Sequence, residues 1–473
     1  MPRVAGRTSS IVPALSGRGN DMTSDPAREL AAFAQAIDYQ SLPTEVTDRL
    51  GLVFADTIGG MVGGNTLPEV ESLAEREAVT NPGDASIFGT DESAAPSHAA
   101  MLNATGVTAL DIDEGNMYAN GHPAVHVVPA VLAAAEVDEG SIETALTAIV
   151  AGYEVAARVG RACVPLEPTY HMHGLWGTVG TAAGVARYRG LGVEATAHAI
   201  RMAANHALHT RFDAAVEGAT VRNTYAGTSN LLGMAVVNQA ELGYTGMENG
   251  IERHLSRVSD DFDTAPLTDD LGELWEITRG YFKRHAACRS THPTLDALER
   301  LTDANEVDAE AIESIEVETH EAGNRLTPTR PENTLQAKFS LPFAAATYLY
   351  HGHATKAAFT DAALRPEIFE LAERVSIESA EELAGENPSQ RGARVTVSMV
   401  DGEAFDAAVT EPTSIVETDG ETVAASANEA IRRKYDWLVE PTLGPDRTDE
   451  LWTAARSPEA TTLPELCRLA TPE

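Results

Sequence analysis

Apolar residues recur at helical spacing from Pro26 to about Thr264. After the start at Ser24, Asp25 and Pro26, a capping pair followed by a first-turn proline, Leu30, Phe33, Ala34 and Ile37 fall on one face. The stretch 44–63 repeats the pattern, followed by 123–136, 141–160, 176–190, 194–207 and 225–242, rich in Ala and Gly with few aromatics. Small residues let helices approach closely, so these segments predict a compact bundle with several almost wholly buried helices. Near residue 265 the period changes. IESIEVETH (312–320) and RVTVSMVDG (394–402) alternate with period two, the second ending in a turn-forming Asp-Gly, with helical segments at 337–351 and 366–374 between them. Helix returns after about 405, at 425–437, 446–455 and 463–470. The expected fold class is mainly α: a large all-helical domain, discontinuous across 24–265 and 405–473, plus a smaller α+β lid domain at 266–404. Residues 1–23 are basic, rich in Gly, Ser and Pro, and have no apolar face; they read as a disordered tail, with Met22 as an alternative start. Their SIVPAL run is too short for a signal peptide.

Composition narrows the partners. With 34 basic against 71 acidic residues the net charge is −37, which argues against duplex nucleic acid and against an anionic membrane, since both need basic surface. Hydrophobic residues at 43% support a globular core rather than an acidic disordered chain. No apolar run reaches the roughly 18 residues of a membrane span, and a cytoplasmic location is expected. Cys163, Cys288 and Cys467 are too scattered for a disulfide framework or a paired-cysteine zinc site. Only four lysines (Lys283, Lys338, Lys356, Lys434) stand against 30 arginines, and the acid is spread along the whole chain. That pattern suits a halophilic protein, whose self-repulsion is screened at molar salt.

Against this acidity, stretches without acid stand out. From Thr278 to Leu295 there is none, while Arg279, Lys283, Arg284, Arg289, His285 and His292 all occur. Such an island can be a helix-end cluster paired with acid elsewhere, or an anion site built on charge-assisted bonds. Pro168–Val193 is also free of acid and places His171 and His173 ahead of a Gly-rich helix, whose N-terminus favours an anion. The two histidines lack a third ligand at regular spacing, so no metal is expected there. GTVGTAAG lacks the strand–turn–helix context of a dinucleotide site. A third candidate, LDIDEGNMYANGHPAVHVVPAVLAAAE (110–136), carries Asp111, Asp113 and Glu114 before His122, without calcium-loop spacing. No GxSxG occurs, which excludes an α/β-hydrolase.

These motifs together resemble the 2-methylcitrate dehydratase (MmgE/PrpD) family, which also contains cis-aconitate decarboxylase and an iminodisuccinate epimerase. The resemblance runs over about residues 26–470 and is carried by DIDEGNMYANGHP (111–123), HMHGLWGTVG (171–180), VRNTYAGTSNLLG (221–233), KRHAACRSTH (283–292) and QAKFSLPFAAA (336–346), in the family's order. It implies a helical domain closed by an α+β lid, commonly a homodimer, with no metal or organic cofactor and the site between the domains. Carried onto matching positions, that site holds Asp111, His122, His171, Arg222 and Lys283. Two positions depart from the family: Gly115 where Thr is common, and Arg222 where cis-aconitate decarboxylase has Lys. Asp111, His122, His171 and Lys283 are the expected catalytic residues; Arg222, Arg289, His173 and His292 are expected to bind substrate. The expected partner is a small polycarboxylate, and the expected activity is a cytoplasmic hydro-lyase of 2-methylcitrate dehydratase type, serving propionate catabolism. A decarboxylase or an epimerase uses the same parts, and a non-catalytic binding protein is the reading from another class. Lys283 is expected to matter for turnover and little for stability. Lys434, outside every motif, is expected to matter for neither.

Overall fold

The computed structural model describes residues 25–384, 391–412 and 423–472, so the N-terminal segment read as a tail lies outside the described residues. Eight helices open the body: α1 (Pro26–Ala36), α2 (Thr44–Asn65), α3 (Pro68–Thr80), α4 (Pro96–Leu110), α5 (Pro123–Val137), α6 (Ile142–Ala162), α7 (Gly177–Tyr188) and α8 (Val193–Asn205). The Asp25 side chain caps α1 by accepting from Ala27 N at 3.1 Å, as the start of that helix predicts. A further helix, Tyr225–Glu241, packs across α4 and α7. Helices α3 and α4 are not among the predicted elements. For α4 the reason is physical: Asn103, Thr105 and Thr108 are polar yet buried, so residue type does not mark the buried positions. Its small residues serve contact with α2, where a Cβ on Gly64 would meet Gly106 O at 2.1 Å.

The helices Val423–Leu443 and Pro445–Arg456 return to pack on α2, with Tyr435 and Leu438 among the buried side chains. Between them and the body in sequence lies a four-stranded sheet in the order 375–379, 312–319, 393–399, 404–409. The first pair is parallel and the others antiparallel. Ala393, Val395, Val397 and Met399 point inward by strict alternation. In the central strand a register shift between Ile312 and Ser314 changes the phase, so Ile315, Val317 and Thr319 are buried after Ile312. The last strand runs to Val409, carrying the sheet past the break read at 404. The segment 337–351 is not one helix but two, Thr334–Lys338 and Leu341–His351, separated where Ser340 caps Phe343 N.

One small pairing sets up the site. Gly115–Asn116 runs antiparallel to Gly280–Tyr281, tying the acidic loop after α4 to the residues just before Lys283. Asn116 secures the loop: its Oδ1 accepts from Tyr118 N and Ala119 N, and its Nδ2 donates to Glu276 O.

Candidate active site

A cavity of about 270 Å³ lies where the helical body meets the sheet-bearing part of the chain. The body contributes Asp111, His122, His171 and Arg222; the other side contributes Lys283, Arg289, Arg325, Phe339 and Arg391. Met117, Leu166, Met172 and Phe212 form an apolar wall. Five cationic side chains and two carboxylates, Asp111 and Glu167, line the cavity, a local inversion of the chain's charge.

The acidic turn is held by cations. Asp111 ends α4 in the left-handed conformation, φ 56° and ψ 40°, which Asp tolerates better than most residues. Its carboxylate takes Arg222 Nη2 at 2.5 Å and Lys283 Nζ at 3.2 Å. Asp113 Oδ1 lies 3.2 Å from the same ammonium. Burial works against ionisation of Asp111, but Lys283 and Arg222 more than offset it and hold the carboxyl below its usual range. Lys283 is 1% exposed. Burial alone would discharge it, yet the two aspartates raise its pKa, so it is a fixed cation. Two buried carboxylates thus hold Lys283 in place, a setting that residue order does not show. Glu114, the third acid of the knot, faces away from the cavity; burial pushes it up to about 8 despite hydrogen bonds from Tyr153 Oη at 2.5 Å and Ala124 N at 3.2 Å.

The two cavity histidines present the same nitrogen, Nε2, in opposite protonation states. His122, at the N-terminus of α5, donates from Nδ1 to Glu114 O at 2.8 Å, which leaves the Nε2 lone pair for the cavity. His171 Nδ1 accepts from His173 N at 3.1 Å, so in the neutral ring the proton sits on Nε2. Burial lowers the pKa of both, and for His171 the nearby Arg222 adds to the effect. Both are therefore neutral near pH 7, one a base and one a donor.

Other predicted residues fall elsewhere. His173 is wholly buried behind the cavity, its ring stacked on His122 at 4.8 Å and its Nε2 3.4 Å from Asp113 Oδ2. His292 does not line the cavity; it bonds Ala287 O and packs edge-on against His285. The acid-free island splits in two. Arg279 pairs with Glu276, and Arg284 with Asp296 and Glu299, while Lys283 and Arg289 reach the cavity. The start of α7 offers no open anion site, because His126 fills it: a Cβ on Gly177 would lie 2.2 Å from His126 Nδ1. Gly115 has a structural reason, since a Cβ there would meet the Tyr281 ring at 2.5 Å. Sequence reasoning missed Tyr281, whose ring carries the Arg289 guanidinium at 4.6 Å, and Arg325 and Arg391 from outside the motifs.

Asp113, His122 and His173 bring ligand atoms within 4.8 Å of one another, a group that can be asked to hold a metal. The donor set does not suit a cation. His122 Nδ1, 3.4 Å from Asp113 Oδ2, already carries a proton to Glu114 O, and the Lys283 ammonium occupies the other Asp113 oxygen. Cys288 lines the cavity, but burial pushes its thiol up, away from a reactive thiolate.

Family models match at residues 28–256, the MmgE/PrpD N-terminal domain, and at residues 285–458, the MmgE/PrpD C-terminal domain. The chain belongs to the MmgE/PrpD family. The two matched segments supply the two sides of the cavity, while Tyr281 and Lys283 lie in the short connection between them. Among relatives, the chain is 24% identical over 458 residues to a cis-aconitate decarboxylase of Aspergillus terreus, covering 89% of this chain and 91% of that one. It is 25% identical over 297 residues to the cis-aconitate decarboxylase-like protein oryM of Aspergillus oryzae, covering 58% and 61%.

Proposed function

We propose that the protein is a lyase that removes water from a small hydroxy polycarboxylate by acid–base chemistry, as a 2-methylcitrate dehydratase does. The observation that carries this reading is the opposed pair of neutral imidazoles on one cation-lined cavity. His122 Nε2 takes the proton from the carbon beside a carboxylate. His171 Nε2–H hydrogen-bonds the hydroxyl, which leaves as water on receiving the proton that His122 removed, and the carbon–carbon double bond forms. Lys283 and Arg222 keep fixed positive charge beside the developing carbanion. Arg289, Arg325 and Arg391 are the cations for the substrate's remaining carboxylates. A cavity of about 270 Å³ suits a ligand of this size, since drug-sized molecules occupy pockets from roughly 300 Å³ upward.

Decarboxylation is the second reading. Relatives bear the name cis-aconitate decarboxylase, and the apolar wall of Met117, Leu166, Met172 and Phe212 would disfavour a carboxylate placed against it, easing its loss as carbon dioxide. Incubation with citrate, 2-methylcitrate, cis-aconitate and iminodisuccinate in deuterium oxide, followed by NMR, separates the outcomes. Alkene from a hydroxy acid supports the dehydratase. Carbon dioxide release with one deuteron incorporated supports the decarboxylase. Exchange alone points to epimerisation, and no exchange with any acid defeats the acid–base reading.

A further inference from the structure

Three of the four lysines end on a single turn of backbone. Lys338 Nζ donates to Ala109 O at 2.8 Å, Lys283 Nζ to Asp111 O at 3.0 Å, and Lys434 Nζ to Ile112 O at 2.7 Å. Arg222 Nη1 adds Thr108 O at 2.7 Å. The four cations come from four separate parts of the chain, and none is more than 2% exposed. The turn needs them. A helix C-terminus leaves its last carbonyls without intrahelical donors and carries negative partial charge. Here α4 ends on Asp111, with Asp113 two residues later, so two carboxylates are added to the unfavourable end.

Lys283 and Arg222 face the cavity; Lys338 and Lys434 do not. Lys434 also pairs with Asp56 Oδ1 of α2 at 2.6 Å, a counter-ion that does not itself require contact with Ile112. Lys338 makes no ion pair among the described residues, and burial brings it down to about 8. A buried ammonium with one carbonyl as its hydrogen-bond partner is costly, and at Lys338 that bond falls on the acidic turn.

We propose that Lys338 and Lys434 are positioning residues: by holding the Ala109 and Ile112 carbonyls they fix the left-handed Asp111 and the Asp113 carboxylate against Arg222 and Lys283. The inference deepens the acid–base reading and rests on it for its kinetic consequence. It also reverses the expectation that Lys434 is inert.

Two variants test it. Lys434→Met with Asp56→Leu removes that ion pair whole, and Lys338→Met leaves no carboxylate behind. In each, kcat on the true substrate is expected to fall about 100-fold, the scale of a displaced reacting group, with KM within about 3-fold. A second readout does not depend on turnover. Lysine labelled with ¹³C at the ε-carbon gives four signals in this chain, and the Lys283 signal is expected to move in both variants. Wild-type kcat with an unmoved Lys283 signal, in either variant that melts like the wild type, overturns the proposal. If one variant does not fold, the other carries the test; loss of folding in both assigns these lysines to stability and also overturns it. A wild-type protein inert on all four acids sinks the acid–base reading instead, and the Lys283 signal still decides the positioning role.

Discussion

Two buried clusters in this protein are built from nearly the same parts. At the cavity, Asp113 stands beside His122 and His173 with Lys283 as the cation. In the sheet-bearing part, Asp296 stands beside His285, which packs on His292, with Arg284 as the cation. Burial lowers the pKa of His122, His173 and His292 alike. The difference is access and orientation. His122 keeps Nε2 toward a cavity while Glu114 O fixes its tautomer. His292 uses Nε2 on the Ala287 carbonyl and lines no cavity. A perturbed pKa therefore marks burial in both clusters, and only geometry separates the imidazole that reaches a cavity from the one that does not.

The largest expected effect is on the cavity side. His122→Asn should cost about 100- to 10,000-fold in kcat with little change in melting temperature, as loss of a general base does. Steady-state kinetics with the acid identified by NMR measures it, and a loss under about 5-fold would make the two clusters equivalent. Next comes Lys283→Ala. Activity should fall about 100-fold or more, as fixed charge at the reacting centre is lost. Stability should also fall by about 3–5 kcal/mol, because Asp111 and Asp113 are left buried with one cation fewer. Urea denaturation reads the second number; a drop under about 1 kcal/mol would mean that the turn opens to solvent.

The pH response sharpens the comparison further. His122 is neutral in the folded protein with its pKa below the ordinary 6.5, so protonation removes the base only below that pH. The acid limb of kcat/KM is expected under pH 6.5, and a limb centred at 7 or above would point to a different base. For stability the sign follows from His126, which burial brings to about 3. Between about 3 and 6.5 the unfolded chain binds the proton and the folded one does not, so this contribution is present above 6.5 and is lost as pH falls. His126→Leu should flatten the decline in melting temperature between pH 6.5 and 5. The smallest effect belongs to the other cluster: His292→Phe should lower the melting temperature while kcat stays within about 3-fold, and a larger loss would bring that imidazole into the reaction.

Much of the body was legible from residue order. The helices α1, α2 and α5 to α8 follow apolar periodicity, α1 with the Asp25 cap, and the alternation of 393–399 survives as an inward row of Ala393, Val395, Val397 and Met399. Helix α4 escaped because polar Asn103, Thr105 and Thr108 occupy buried positions, and it is the helix that ends on the acidic turn. Asp111, His122, His171, Arg222, Lys283 and Arg289, taken from motifs and from local absence of acid, do line one cavity. His173 sits behind that cavity, and His292 belongs to the structural cluster, for a common reason: proximity in sequence to a cavity residue says nothing about which way a side chain turns once the backbone bends.

Residue order by itself determined the acidic surface, the helical body with its alternating strands, and the scarcity of lysine. Those properties depend on composition and on short-range periodicity, which act through neighbours a few positions apart. Only the tertiary structure decided that three lysines separated by 55 to 151 positions meet on carbonyls 109 to 112, and that His122 and His171 offer Nε2 to one space in opposite protonation states. A tautomer is set by the hydrogen bond on the far side of the ring, and a buried ammonium by the carbonyls that replace its water. Both come from distant segments, brought together only when the whole chain packs.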